Sequence, residues 1–212
     1  MGNMYVDSRG NLRKNIPYIT IAIVAMNVII FFVAGLGGSM TDGDYLYRCG
    51  AMYWPALTEG GEYYRILTSM FLHFGMEHLI NNMFMLAILG YQIEREYGSI
   101  KYFITYMLSG VFGTLFSALI EMKLDEYSIS VGASGAIFGI FGAMLVMMFK
   151  NRKKSGQNSG VGLLILFVLA VFGNMQEGVD WLAHLGGAIA GVLVAFILYH
   201  KKYDRGEFRP VA

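Results

Sequence analysis

Charge is scarce in this sequence: 15% of its 212 residues are Asp, Glu, Lys or Arg, the formal net charge is +1, and 56% are hydrophobic. That balance argues against a nucleic-acid partner. With a mean hydropathy of +0.50, it describes a chain mostly immersed in lipid, whose core is helix packed on helix. Cysteine is scarcer still. The single thiol, Cys49, cannot form an internal disulfide and reads as a buried or interfacial group without a role. Low-complexity linkers and internal repeats are also missing, and no soluble domain is expected at either end. The first apolar run begins at Ile16, is too long for a signal core and follows no cleavable pattern, so it is expected to stay in the mature protein.

What the sequence does have is long apolar runs. A spanning helix needs about 20 mostly apolar residues, and six runs qualify as helices: 16–36, 78–97, 101–121, 133–149, 160–174 and 181–199. The expected fold is an all-α polytopic membrane bundle of six transmembrane helices at 16–199, between an N-terminal tail at 1–15 and a C-terminal tail at 200–212. The fifth run is short. Its apolar part covers only about 20 Å at about 1.5 Å per residue, against a hydrocarbon core of about 30 Å, which hints at local thinning or a water-filled recess.

Basic residues favour cytoplasmic loops, and their distribution is lopsided. Arg9, Arg13, Lys14, Arg95, Lys101, Lys150, Arg152, Lys153, Lys154, Lys201, Lys202, Arg205 and Arg209 fall on one side, leaving Arg48, Arg65 and Lys123 on the other. Both termini are therefore expected to be cytoplasmic. The long external loop at 38–77 is rich in aromatic residues, among them Tyr45, Tyr53, Trp54, Tyr63 and Tyr64. Such a segment suits the headgroup region, either as a plain anchor or as a surface that positions a lipid-borne partner.

In that topology the second, fourth and sixth runs start externally, and each carries polar groups near its beginning: His78 and Asn82, Ser134, and His184. His78 and Asn82 are four apart and share a helix face. Gly132, Gly135 and Gly139 surround Ser134, and Gly186, Gly187 and Gly191 follow His184, so both helices are slim enough for close approach. Polar groups inside a membrane are costly and suggest a functional site. A serine needs a base, which a neutral histidine supplies. Amide hydrolysis also needs oxyanion donors, open to His78, Asn82 and the Ser134 backbone N–H. A metal site is the competing use of two histidines, weakened because no carboxylate lies on the same faces. Asp180, four residues before His184, fits either the acid of a triad or a helix N-cap, and the cap is favoured.

Gly132-Ala133-Ser134-Gly135 resembles the G-x-S-G nucleophile motif of rhomboid intramembrane serine proteases. His73 to Asn82 resembles the family's H-x-x-x-x-H-x-x-x-N, and Ala183 to Gly191 its A-H-x-x-G-x-x-x-G. The resemblance implies Ser134 as nucleophile, His184 as general base and then acid, and His78 and Asn82 with the Ser134 N–H as oxyanion-hole donors. It further implies His73 as a brace of the first loop, Phe138 packing on the catalytic imidazole, and Gly132, Gly135, Gly187 and Gly191 as supporting glycines. Tyr64-Arg65 matches the family's Trp-Arg pair with Tyr for Trp, and Glu94 with Gly98-Ser99 fits its turn below the second helix. No cofactor is implied. The substrate implied is a membrane-anchored protein cut in or near a weak transmembrane helix, by an enzyme expected in a bacterial plasma membrane with its site opening to the extracytoplasmic side. The alternatives are a non-catalytic relative that binds membrane proteins for quality control, or a small transporter, which is disfavoured because the polar groups lie away from the midplane.

Overall fold

The computed structural model describes residues 4–6, 12–14, 16–150 and 179–199. The fifth expected span at 160–174, the basic cluster at 152–154 and the tail at 200–212 lie outside the described residues. Near the N-terminus Met4–Val6 pairs antiparallel with Leu12–Lys14, a ribbon that the polar composition of that tail did not announce. Everything else described is helical or connecting.

Helix α1 (Tyr18–Gly35) follows Pro17 and has no side-chain cap of its own. Its first N–H groups are served from a distance: Glu94 accepts from Ile19 N at 3.0 Å, Thr20 N at 2.8 Å and Thr20 Oγ1 at 2.7 Å. A carboxylate at a helix N-terminus satisfies orphan donors and complements the dipole. Ser99 Oγ donates to the same group at 2.7 Å, so one buried acid ties α1 to the turn between the next two long helices.

The loop expected at 38–77 contains three short helices, α2 (Gly43–Cys49), α3 (Trp54–Thr58) and α4 (Arg65–Thr68), then a 3₁₀ turn at Ser69–Phe71. Asp42 caps α2, accepting from Asp44 N at 2.9 Å, and Gly50 closes it with φ of 104°. The loop is organised on Arg65, which is only 3% exposed. Its guanidinium donates to the Tyr47 carbonyl at 2.6 Å and the Ala51 carbonyl at 2.9 Å, pairs with Glu62 at 2.6 Å and lies over the Tyr47 ring at 4.1 Å. Hydrogen bonds from Tyr64 and Arg65 hold the Glu62 carboxyl below the usual range.

Helix α5 spans Gly75–Tyr97, one turn earlier than the apolar run suggested, because Gly75 at φ of 76° turns the chain out of the extended Leu72 segment. Helices α6 (Ser99–Leu124), α7 (Ser134–Lys150) and α8 (Trp181–Leu198) complete the described bundle. By length and composition α1, α6 and α8 can each cross a membrane, while α7 is a shorter apolar helix. Helix α5 is as long, but Glu77, His78, Asn81 and Asn82 in its first turns make it less apolar.

Helices α6, α7 and α8 pack most closely, with α5 beside α7 and α1 beside α5. The α7–α8 seam is backbone on backbone. A Cβ placed on Gly187 would lie 2.0 Å from the Gly135 carbonyl oxygen, and one on Gly191 1.9 Å from that of Gly139. At the far end Lys150 of α7 donates to the carbonyls of Phe196 at 3.1 Å and Tyr199 at 2.9 Å, and Lys101 of α6 to that of Leu198 at 2.8 Å. Two cations thus satisfy the last carbonyls of α8 where its dipole is negative.

Candidate active site

Ser134 is the first residue of α7, where backbone N–H groups have no intrahelical acceptor. The segment before it is fixed by backbone pairing: Met52 and Ser130 exchange N–H···O bonds at 2.9 and 3.0 Å, and Gly132 N donates to the Ser69 carbonyl at 2.9 Å. Gly132 itself has φ of 131°, and a Cβ there would lie 2.9 Å from His78 Cε1, 3.0 Å from His78 Nε2 and 3.6 Å from Ser134 Oγ. Backbone conformation and space both demand glycine, and the hydroxyl and the imidazole edge flank the same point.

His78 lies in the first turn of α5, half-buried. Its Nδ1 accepts from Phe74 N at 3.4 Å. In a neutral ring that bond assigns the proton to Nε2, on the edge that faces Gly132. One turn on, buried Asn82 donates one amide hydrogen to the His78 carbonyl at 2.9 Å, which leaves its second N–H. His73 is fully buried with its ring edge-on to that of His78, centroids 5.2 Å apart. Burial first and the neighbouring His78 second lower its pKa to about 3, against a smaller opposing pull from the Phe71 backbone.

His184 sits in the first turn of α8, 5% exposed, its ring stacked on that of Phe138 with centroids 4.3 Å apart. Its Nδ1 has no hydrogen-bond partner among the described residues. Asp180 does not reach it and instead caps α8, accepting from Ala183 N at 2.8 Å. Ser134 and His184 lie on helices joined at the Gly135–Gly187 contact, but no hydrogen bond joins their side chains among the described residues. Beside Ser134 is a small recess, lined in part by Ser69, Thr114, Ser130, Gly132 and Asp180. Those three hydroxyls were not singled out in the sequence; only the four-residue spacing of Ser130 and Ser134 offered a signal. Among the described residues no group of three or more His, Cys, Asp or Glu could hold a metal ion.

The sequence model of the Rhomboid domain matches residues 60–201, which contain His73, His78, Asn82, Ser134, Phe138 and His184. The chain belongs to the rhomboid family. Among similar proteins, "RHOMBOID-like protein 6, mitochondrial" of Arabidopsis thaliana is 39% identical over 157 residues, covering 72% of this chain and 49% of that protein. "Rhomboid protease GluP" of Bacillus subtilis (strain 168) is 33% identical over 183 residues, covering 86% of this chain and 35% of that one. "Rhomboid-like protease 3" of Toxoplasma gondii is 34% identical, covering 89% and 70%. The chain thus spans about a third to a half of the first two relatives. Family membership and the apolar helices make this rhomboid chain an integral membrane protein.

Proposed function

We propose that this rhomboid chain is an intramembrane serine endopeptidase that cuts membrane-anchored proteins in or near a transmembrane segment. The observation that carries the reading is the Gly132 corner, where the Ser134 hydroxyl and the Nε2 edge of His78 converge on a backbone that admits no side chain. In this mechanism Ser134 Oγ attacks the scissile carbonyl while His184 Nε2 takes its proton. The developing oxyanion is met by the free N–H of Ser134, the Nε2–H of His78 and the second amide N–H of Asn82. His184 then returns the proton to the leaving amine, and water hydrolyses the acyl-serine. A helical substrate must first unwind locally, because each helix carbonyl is engaged by the N–H four residues on.

The six-span count, the cytoplasmic termini and a site opening to the extracytoplasmic side are part of this proposal, supported by the asymmetry of basic residues. A bacterial plasma membrane is the proposed location, with the Bacillus relative as support and cell fractionation as the check. A second reading is a non-catalytic binder of membrane proteins, favoured by the lack of a hydrogen bond between Ser134 and His184 among the described residues. A fluorophosphonate–rhodamine probe separates the two. The enzyme is labelled, with labelling lost in Ser134→Ala and His184→Ala; equal labelling or none in all three proteins sinks the proposal.

A further inference from the structure

Two elements must hold a fixed relationship for the chemistry proposed above: α7 with the segment that leads into Ser134, and the helix that carries His184. Glycine contacts set how close α7 and α8 come, and side chains such as Phe138 on Ala188 and Val146 beside Ala195 pack across the same seam. Polar groups cross it as well. One such crossing is Lys150, which reaches from α7 to the last carbonyls of α8. At the opposite end, next to the candidate site, the crossing is made by Asp180.

Asp180 lies four residues before His184, and Ser130 lies four residues before Ser134. Asp180 Oδ1 accepts from Ala183 N at 2.8 Å and from Ser117 Oγ of α6 at 2.7 Å, while Oδ2 accepts from Ser130 Oγ at 2.5 Å. Ser130 is not free to follow a moving α8, since its own N–H and C=O are both bonded to Met52 of the first loop. Each bond to the carboxylate is charge-assisted and so stronger than a neutral pair. We propose that Asp180 is a positioning residue, whose bond to Ser130 fixes the His184-bearing helix against the segment that leads into Ser134. This goes beyond its role as a helix cap, which needs only the Ala183 N–H. It rests on the serine protease reading given above.

The test uses purified full-length chain in detergent and the fluorophosphonate–rhodamine probe, reading kinact and KI separately beside the thermal unfolding midpoint. Ser130→Ala is the informative variant, because it removes the crossing and leaves the cap and the Ser117 bond intact. Its kinact is expected to fall roughly five- to tenfold with KI within about twofold, as small misplacements of reacting groups are costly in rate. Asp180→Ala falls at least as far, and adding Ser130→Ala to it slows labelling no further, since both remove one interaction. Asp180→Asn keeps the cap and can donate to Ser130 Oγ, so it recovers labelling to within about threefold of the parent.

The inference is overturned if Ser130→Ala is labelled at the parental rate or if the two alanine effects multiply independently. It is equally overturned if Asp180→Asn is as slow as Asp180→Ala with a displaced pH profile of kinact, which would make charge the operative property. Those failures occur in a parent that is labelled at Ser134. A parent that is not labelled at all overturns the protease reading, and this inference with it.

Discussion

The imidazole of His184 lies nearly flat on the ring of Phe138, with the planes within 20° of each other. Among the described residues Nδ1 of that imidazole has no hydrogen-bond partner, so in the proposed mechanism stacking takes the place that a carboxylate occupies in a Ser-His-Asp triad. Phe138→Ala is expected to slow fluorophosphonate labelling of Ser134 by an order of magnitude or so, as the ring gains freedom to leave its productive orientation. Phe138→Tyr, which keeps the stacking face, is expected to stay close to the parent. Labelling kinetics beside circular dichroism of each variant would show whether the loss is local.

The glycine seam gives a sharper contrast. A methyl group on Gly191 would collide with the Gly139 carbonyl at 1.9 Å, whereas one on Gly35 would meet only Met40 Cγ at an ordinary 3.7 Å. Gly191→Ala is expected to force α7 and α8 apart, lowering both the unfolding midpoint and the labelling rate. Gly35→Ala is expected to be neutral or stabilising by up to about 1 kcal/mol, because alanine is the better helix former. If both substitutions lower the midpoint equally, the backbone contact is not what holds the pair.

Glu94 accepts four hydrogen bonds and is 3% exposed. Glutamine in its place turns one acceptor into a donor that faces other donors. Glu94→Gln is expected to lose about 2–3 kcal/mol, the scale for breaking charge-assisted bonds to buried partners. Unfolding in a denaturing detergent series measures it. Labelling of Ser134 well below the unfolding transition is expected to survive, since Glu94 serves α1 and the α5–α6 turn.

Acid should loosen the fold through His73. Its pKa is about 3 in the folded protein against about 6.5 when exposed, so the unfolded chain binds the extra proton between those values. Stability from this group is complete above about pH 6.5 and declines as pH falls toward 3, at up to about 1.4 kcal/mol per pH unit. Unfolding midpoints across that range should fall more gently in His73→Phe, and an unchanged slope would count against this assignment.

Several of these features were legible in the sequence for a physical reason. Gly135, Gly187 and Gly191 could be read because small residues at helical spacing have few uses other than close packing, and the structure places them at the α7–α8 contact. Asp180 was legible as a cap, since that role depends on the next three residues alone. Its bonds to Ser117 and Ser130 were not, because they join positions 63 and 50 residues apart. The burial of Arg65 was not legible either, because its guanidinium lies among loop carbonyls that only the folded loop brings together. The three short helices of that loop were hidden by its aromatic composition, although Asp42 and Gly50 already bracketed the first of them.

The segment before Ser134 draws its bonds from both directions along the chain: Met52 and Ser69 precede it, and Asp180 follows it. During synthesis the first two are already in place when Ser134 emerges from the ribosome, but Asp180 and His184 are not. In the proposed mechanism a nascent chain halted anywhere before α8 therefore holds the hydroxyl without its base. On that reading such a truncated product is inert.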